Sequence, residues 1–459
     1  MNFWGSDVWG TLNLVAVLLL SMLAATVMKN VIKPMRVSLI PTSVLGGLIL
    51  LVLSSVYEII TKEGFFDANF FNNRGFATLE TVTYHALALG FIASALKTGK
   101  EKMSKKRTIE IFDSGVTTVA TYLLQAILGM GITMVAALVI VGFFPAAGIL
   151  LPFGFGQGTG QAMNYGNIYE MDFGFVGGKG FGLTIAALGF LSASIGGVVH
   201  LNFLRRKGKI LSGSEKAENL QAEQIQSEGE IPMQGSMDKI TVQMALILGA
   251  YFIAHLMMTG LSLLLPGMKS TIYGFNFLLG VIAATLVKVV MGFLRRKKVI
   301  KREYSNNFLL TRCSNFFFDV MVVAGIAAIR LSVLEQYWGI MLILGIVGLF
   351  STYFYLRVIA VKLFPEYQEE QFLATYGMLT GTASTGIILL REIDENFKTP
   401  AADNMVYQTL PAIVFGFPMM LLANLAPVNP ALTMIILVLF FVTMNVLLFR
   451  SFIFKKKNR

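Results

Sequence analysis

The sequence predicts an all-α polytopic membrane protein: two inverted-topology halves of five transmembrane helices each, every half carrying a re-entrant hairpin, plus an extra C-terminal helix. Three observations carry this expectation. Hydrophobic residues make up 55% of the 459 and charged residues only 14%, where a soluble protein carries roughly a quarter charged. The charges cluster, leaving no Asp, Glu, Lys or Arg from Ser114 to Tyr169 or from Asn404 to Phe449. A spanning helix needs about 20 apolar residues, so each of these stretches crosses or enters the bilayer more than once. Finally, two glycine- and threonine-rich segments interrupt the apolar pattern at corresponding places. The 44 glycines suit membrane helices, in which small residues let backbones approach closely.

The first half reads from its charges. A span near Val8 to Met28 ends at Lys29, Lys33 and Arg36, so it runs from outside to inside. No basic residue precedes Lys29, so the start lacks the charged region of a cleavable signal and the span is expected to be retained. The second, about Ile40 to Tyr57, returns outward to a mixed loop. The third, near Thr81 to Leu96, ends in the basic run Lys97 to Arg107, placed inside. The fourth, about Ser114 to Phe143, goes out again. Next comes the uncharged segment 146–169, then an apolar helix near Phe181 to Leu204 that ends in Arg205, Arg206, Lys207 and Lys209. That run stays inside only if 146–169 enters from outside and turns back. Pro152 with Gly154, Gly156, Gly158, Gly160 and Gly166 cannot make a steady helix there.

The stretch 207–239 turns polar and charged, with Ser212, Glu215, Glu218, Glu223, Glu228 and Glu230, and reads as a mobile cytoplasmic linker. The second half repeats the pattern in the opposite sense. Spans are expected near Ile240 to Leu265, Ser270 to Leu294, Cys313 to Leu334 and Gln336 to Leu356. The uncharged Gln371 to Leu390 holds YGMLTGTASTG, and Asn404 to Ala426 and Ala431 to Phe449 follow around Pro427 and Pro430. If 371–390 re-enters from inside, the basic tail Lys455 to Arg459 stays cytoplasmic. The domains are therefore 1–206, the linker 207–239, 240–427, and an additional span with its tail at 431–459. Local echoes support the repeat: GFGQGT at Gly154 to Thr159 matches GMLTGT at Gly377 to Thr382, and LGFIASALK at Leu89 to Lys97 echoes AGIAAIRLS at Ala324 to Ser332.

Non-helical backbone sits at membrane depth only where it is buried in protein or lines a water-filled cavity. Its N–H groups at a half-helix start suit a carboxylate, and its carbonyls suit a cation. Around the first interruption, Gly156, Gln157, Gly158, Thr159, Gly160, Gln161 and Asn164 are the candidate binding residues; around the second, Thr380, Gly381, Thr382, Ser384, Thr385 and Gly386. The plainer reading is that the glycines permit helix packing and the hydroxyls bond their own backbone. Ionisable residues inside spans are few: Asp319, Lys288, Arg330 (snorkelling outward), His255, and His85 and His200 near span ends. Asp319 and His255 are the groups a proton-coupled carrier would use. Sodium, a hard cation held by neutral oxygens, fits the hairpins better.

The net charge of +11 sits beside helix ends, where lipid and topology explain it and no nucleic-acid partner is expected. Cys313 is the only cysteine, so no intrachain disulfide forms. No paired-histidine metal motif or P-loop occurs, so neither an enzyme nor an ATP-driven pump is expected and no cofactor is implied. GFGQGTG misses the dinucleotide fingerprint, because Thr159 stands where the third glycine falls. A passive channel, with the glycine loops as its filter, is the alternative of another class.

IPTSVLGGLIL at Ile40 to Leu50, GQGTGQA at Gly156 to Ala162 and the later GFGLTIAALGFLSASIGG resemble the bacterial sodium:glutamate symporter family, in order and spacing over most of the chain. The resemblance implies sodium-driven uptake of glutamate in a cell membrane, inverted five-span halves, a cytoplasmic central loop and a homodimer. Three departures stand out. Gln157 replaces a histidine of the family's first motif. The second hairpin has Tyr376 and Ser384-Thr385 near where the family has Gly-His and Pro-Thr. The span at 431–449 is additional. The first two bear on which small organic anion is carried.

Overall fold

The computed structural model describes residues 3–37, 39–97, 104–208, 230–231, 237–266, 269–330, 337–394 and 398–453. Most of the expected linker, part of the 97–107 basic run and the Lys455 to Arg459 tail lie outside the described residues. In the first part of the chain the principal helices are α1 (Ser6–Val31), α2 (Thr42–Thr61), α3 (Gly75–Ala95), α4 (Lys105–Val139), α5 (Leu150–Phe173) and α6 (Gly178–Arg206). Then follow α7 (Lys239–Leu264), α8 (Asn276–Arg296), α9 (Asn307–Ala327), α10 (Trp338–Leu363), α11 (Gln368–Thr380), α12 (Ala383–Arg391), α13 (Ala401–Tyr407), α14 (Thr409–Leu425) and α15 (Pro430–Leu448). Among the described residues the only β pairing is an isolated bridge between Glu230 and Glu303.

Among the described residues ten helices are long and apolar enough to cross a membrane, and α13 with the helix after it forms one more candidate, bent by 53°. Large apolar side chains lie exposed along them, among them Leu20 and Leu23 of α1, Phe252 of α7 and Leu439 of α15. A water-soluble chain does not present such continuous apolar surface. The chain is a polytopic membrane protein.

Local chemistry sets the helix ends. Ser104 accepts from Arg107 N (3.2 Å) at the start of α4, Asp238 from Ile240 N (2.8 Å) at α7, and Asn429 from Leu432 N (3.0 Å) ahead of Pro430 at α15. Arginines close α6 and α8, where they complement the helix dipole. Two helices run past the expected span limits on paired flanking charges. Thus α4 begins at Lys105 because Arg107 bonds Glu110 (2.9 Å) and Asp113 meets Arg450 (2.6 Å). Likewise α10 continues to Leu363 because Arg357 meets Glu369.

The chain forms two compact units, one of Met1–Phe76, Met103–Gly213 and Gly325–Arg459, the other of Ala77–Lys102 and Ser214–Ala324. In the smaller unit α7 packs on α8, and Ile92, Ile247, Ala284 and Phe317 share one buried cluster. Lys288, seen in the sequence as an ionisable residue near a span end, donates to Ala95 O (3.0 Å) and Lys97 O (2.7 Å), capping the end of α3. His85 meets the Tyr251 hydroxyl at 2.7 Å.

In the larger unit a buried polar chain ties α4 to α11, α13 and Gln408 beyond it. Asn404, fully buried, accepts from Arg107 (2.7 Å) and donates to Tyr367 (3.1 Å) and Gln371 (2.8 Å). Gln371 continues to Ser114 and Ser114 to Gln408. Burial pushes the Tyr367 phenol up, so it stays protonated and donates to Glu110. Asn404→Leu leaves buried Tyr367 and Gln371 and half-buried Arg107 each short of a bond. At ~1–3 kcal/mol for each group left unmade, we expect a loss of about 3 kcal/mol, read as a lower thermal midpoint in detergent; an unchanged midpoint would show that the chain relaxes without it.

Candidate functional site

Both interrupted segments are helical hairpins in the larger unit. Within α5 the single non-helical residue is Gly158, at φ 74° and ψ −169°, a region essentially reserved for glycine. Phe153 and Tyr165, twelve residues apart, stack with ring centroids at 4.1 Å; a continuous helix would separate them by about 18 Å. The chain therefore reverses at Gly158. In the second segment α11 ends at Thr380 and α12 starts at Ala383. A Cβ added to Gly377 would lie 2.7 Å from the Gly386 Cα, so these arms also lie side by side. The two reversals fall at Gly158-Thr159 and Gly381-Thr382, the pairs matched in the sequence.

The sequence leads one to expect a broad glycine loop at 146–169; the break is narrower. Gly156 and Gly166 stay helical because the structure uses their missing side chains for contact. The Tyr122 ring fills the space beside Gly156, and the Gly178 carbonyl lies against Gly166. Packing thus offsets the roughly 1 kcal/mol by which glycine disfavours a helix.

Residues outside the hairpins bring the two tips together. Tyr122 and Gln125, one turn apart on α4, each reach one hairpin. Tyr122 donates to Gly156 O (3.0 Å), and Gln125 Nε2 donates to Leu379 O (3.0 Å) and Thr352 Oγ1 (2.8 Å). On α6, a Cβ at Gly189 would lie 2.6 Å from Thr380 O and 3.1 Å from the Phe155 Cα. Both hairpins therefore press on one glycine. Gly325, near the end of α9, gives Thr159 its room: a Cβ there would stand 2.5 Å from the Thr159 Cβ.

The predicted residues fall as follows. Gly158, Thr159, Gly160, Gln161 and Asn164 are buried and Gly156 and Gln157 half-buried. Asn164 Nδ2 donates to Gln161 Oε1 (3.0 Å). Thr380, Gly381, Thr385 and Gly386 are buried and Thr382 half-buried; the side chain of Ser384 lies outside the described residues. The Thr380 hydroxyl donates to Tyr376 O (2.6 Å), as the plainer reading of these hydroxyls has it. Thr382 and Thr385 face each other across the tip at 3.4 Å. Asp319, half-buried, and His255, exposed on α7, belong to the smaller unit.

Two buried amide atoms at these tips have no hydrogen-bond partner among the described residues: Gln161 Nε2, a donor, and Gln125 Oε1, an acceptor. Both side chains are fully buried. Gln125, Tyr122, Gly189 and Thr352 escaped the sequence reading. The signal for Gln125 was a lone amide inside the expected 114–143 span. A further cluster braces the second hairpin at its base. His200 of α6 meets Glu369 (3.0 Å) and Tyr353 (2.8 Å), and Arg357 of α10 holds Glu369 at 2.7 and 3.0 Å.

No family model, curated protein or solved structure matches the chain, so its hairpins and their neighbouring side chains are the ground on which its function is read.

Proposed function

We propose that the chain is a sodium-coupled symporter of glutamate or a related small organic anion, working by alternating access between two inverted halves. The observation that carries this reading is the pair of hairpin tips, each reversing at a Gly-Thr pair and both held against Tyr122, Gln125 and Gly189. Each tip ends one half-helix and starts another, so it offers both carbonyls and N–H groups within the buried interior. The neighbouring side chains are mostly neutral oxygens and amides, which suit sodium and a carboxylate. In this reading the N-terminus lies outside, the C-terminus lies in the cytoplasm, and the protein works in the cell membrane as a homodimer.

The test is radiolabelled glutamate uptake by the purified protein in liposomes. Accumulation is expected only with an inward sodium gradient, with at least a tenfold loss in Thr159→Ala or Thr382→Ala. Equilibration of label without any gradient would make the protein a passive channel. A proton-coupled carrier is the second reading, favoured by the His200–Glu369 contact that Arg357 braces at the base of the second hairpin. Accumulation driven by a pH gradient in sodium-free vesicles would establish it instead.

A further inference from the structure

The two unpartnered amide atoms differ in polarity, and each sits where a helix end has the matching sign. Gln161 lies three residues beyond the break at Gly158, in the first turn of the second arm of α5. Four N–H groups at such a start lack intrahelical acceptors, and the helix dipole makes the place positive. Gln161 adds a buried N–H to them. Its own oxygen accepts from Asn164 Nδ2, and Nε2 faces no acceptor among the described residues. What that group of donors lacks is an anion with several acceptor oxygens.

Gln125 sits at the opposite kind of end. Its amide reaches Leu379 O, among the last carbonyls of α11, where the dipole is negative. Its Oε1 has no donor among the described residues. Turning the amide over does not resolve this. Oε1 would then stand about 3.0 Å from Leu379 O, two acceptors with no proton between them, and the amide nitrogen would be left facing nothing. Either orientation leaves buried oxygen in excess beside Thr352 Oγ1. A bound cation removes that excess; a neutral donor on the protein does not exist there among the described residues.

We infer that the two tips are sorted by charge: the first binds a carboxylate through Gln161 and the half-helix N–H groups, and the second binds the coupling cation through Thr352 Oγ1, the terminal carbonyls of α11 and a Gln125 Oε1 turned over to face them. This inference rests on the transport reading above and assigns its two ligands to separate tips. Because Tyr122 and Gln125 lie one turn apart on α4 and each touches one tip, occupancy of one tip bears on the geometry of the other. That gives coupling a physical route.

The experiment uses the full-length protein in detergent and follows its melting midpoint against sodium chloride, with potassium chloride at equal ionic strength as control. L-glutamate and malate are then added at saturating sodium. Glutamine-to-glutamate exchange keeps size and separates the tips by sign. Gln125→Glu places a negative charge at the cation tip and is expected to lower half-saturating sodium about tenfold. Gln161→Glu places a negative charge against the carboxylate and is expected to remove the carboxylate response while leaving the sodium response within about twofold. Gln125→Leu and Gln161→Leu, read the same way, are expected to lose the sodium and carboxylate responses respectively. An unchanged or weakened sodium response in Gln125→Glu, together with a retained one in Gln125→Leu, would overturn the cation assignment. A full carboxylate response in both Gln161 variants, or none in the wild type with either carboxylate, would overturn the anion assignment. A wild type that does not respond to sodium at all would instead remove the sodium coupling proposed above.

Discussion

Gly158→Ala is expected to reduce gradient-driven uptake at least tenfold while leaving a folded protein in the membrane. At φ 74° and ψ −169° a side chain costs on the order of 1–3 kcal/mol, and alanine favours a continuing helix over glycine by roughly 1 kcal/mol. Both effects push the chain toward running straight through the reversal. The stack of Phe153 on Tyr165 opposes this, so the outcome is a displaced tip with its arms in place. The direct consequence falls on Thr159, Gly160 and Gln161, whose backbone positions are set by that one residue. Gly174→Ala supplies the control. It too has positive φ, 71°, but nothing lies within 4 Å of the added methyl, and it closes the far end of α5. It is expected to cost similar stability and to transport normally. Equal losses of uptake in the two variants would mean that transport responds to stability alone and that the tip geometry has no special part.

The positions of the reversals were legible because glycine and threonine recur in register at Gly158-Thr159 and Gly381-Thr382. Charge patterning placed the helices closely, since a buried charge without a partner is costly and apolar stretches therefore end at charges. The same rule explains where the reading fell short. It stops a span at the first charge, whereas α4 and α10 carry Arg107, Glu110, Asp113 and Arg357 as paired groups inside their helices. Pairing is a tertiary fact: Asp113 finds Arg450 and Arg357 finds Glu369 only once the helices are packed. Gln125 was missed for a related reason. An amide in an apolar run has no local partner, and only the return of the chain at Leu379 and Thr352 shows what it faces. The glycines of α5 misled in the other direction, because propensity counts each as a breaker while packing against Tyr122 and Gly178 keeps Gly156 and Gly166 helical.

Glu369→Ala is expected to destabilise the protein by about 3 kcal/mol, seen as a lower melting midpoint. The carboxylate accepts from both Arg357 nitrogens and from His200, whose side chain is 1% exposed. Removing it leaves a guanidinium facing a buried imidazole with no counter-charge. Breaking a buried pair from one side costs about 3–5 kcal/mol, and the lower end applies because Arg357 keeps 27% of its side chain in contact with the surroundings. Arg357→Met in the same background separates charge from packing. If the lost stability reflects the stranded cation, the double variant melts closer to the wild type than Glu369→Ala does; if the two losses add, the cluster acts by contact alone. The two hairpins are anchored by different means, which makes the choice of residue informative. Tyr165 and Tyr169 fasten the first to the carbonyls of Met420 and Ala423, neutral bonds that survive a change of charge. The second depends on an ionic clamp near the start of α11, ten residues and about 15 Å of helix from Leu379, where Gln125 holds it. Loosening the clamp therefore lets α11 shift along its axis at the tip, and Glu369→Ala is expected to weaken the sodium response more than the carboxylate response. An equal weakening of both would show that the hairpins move as one body.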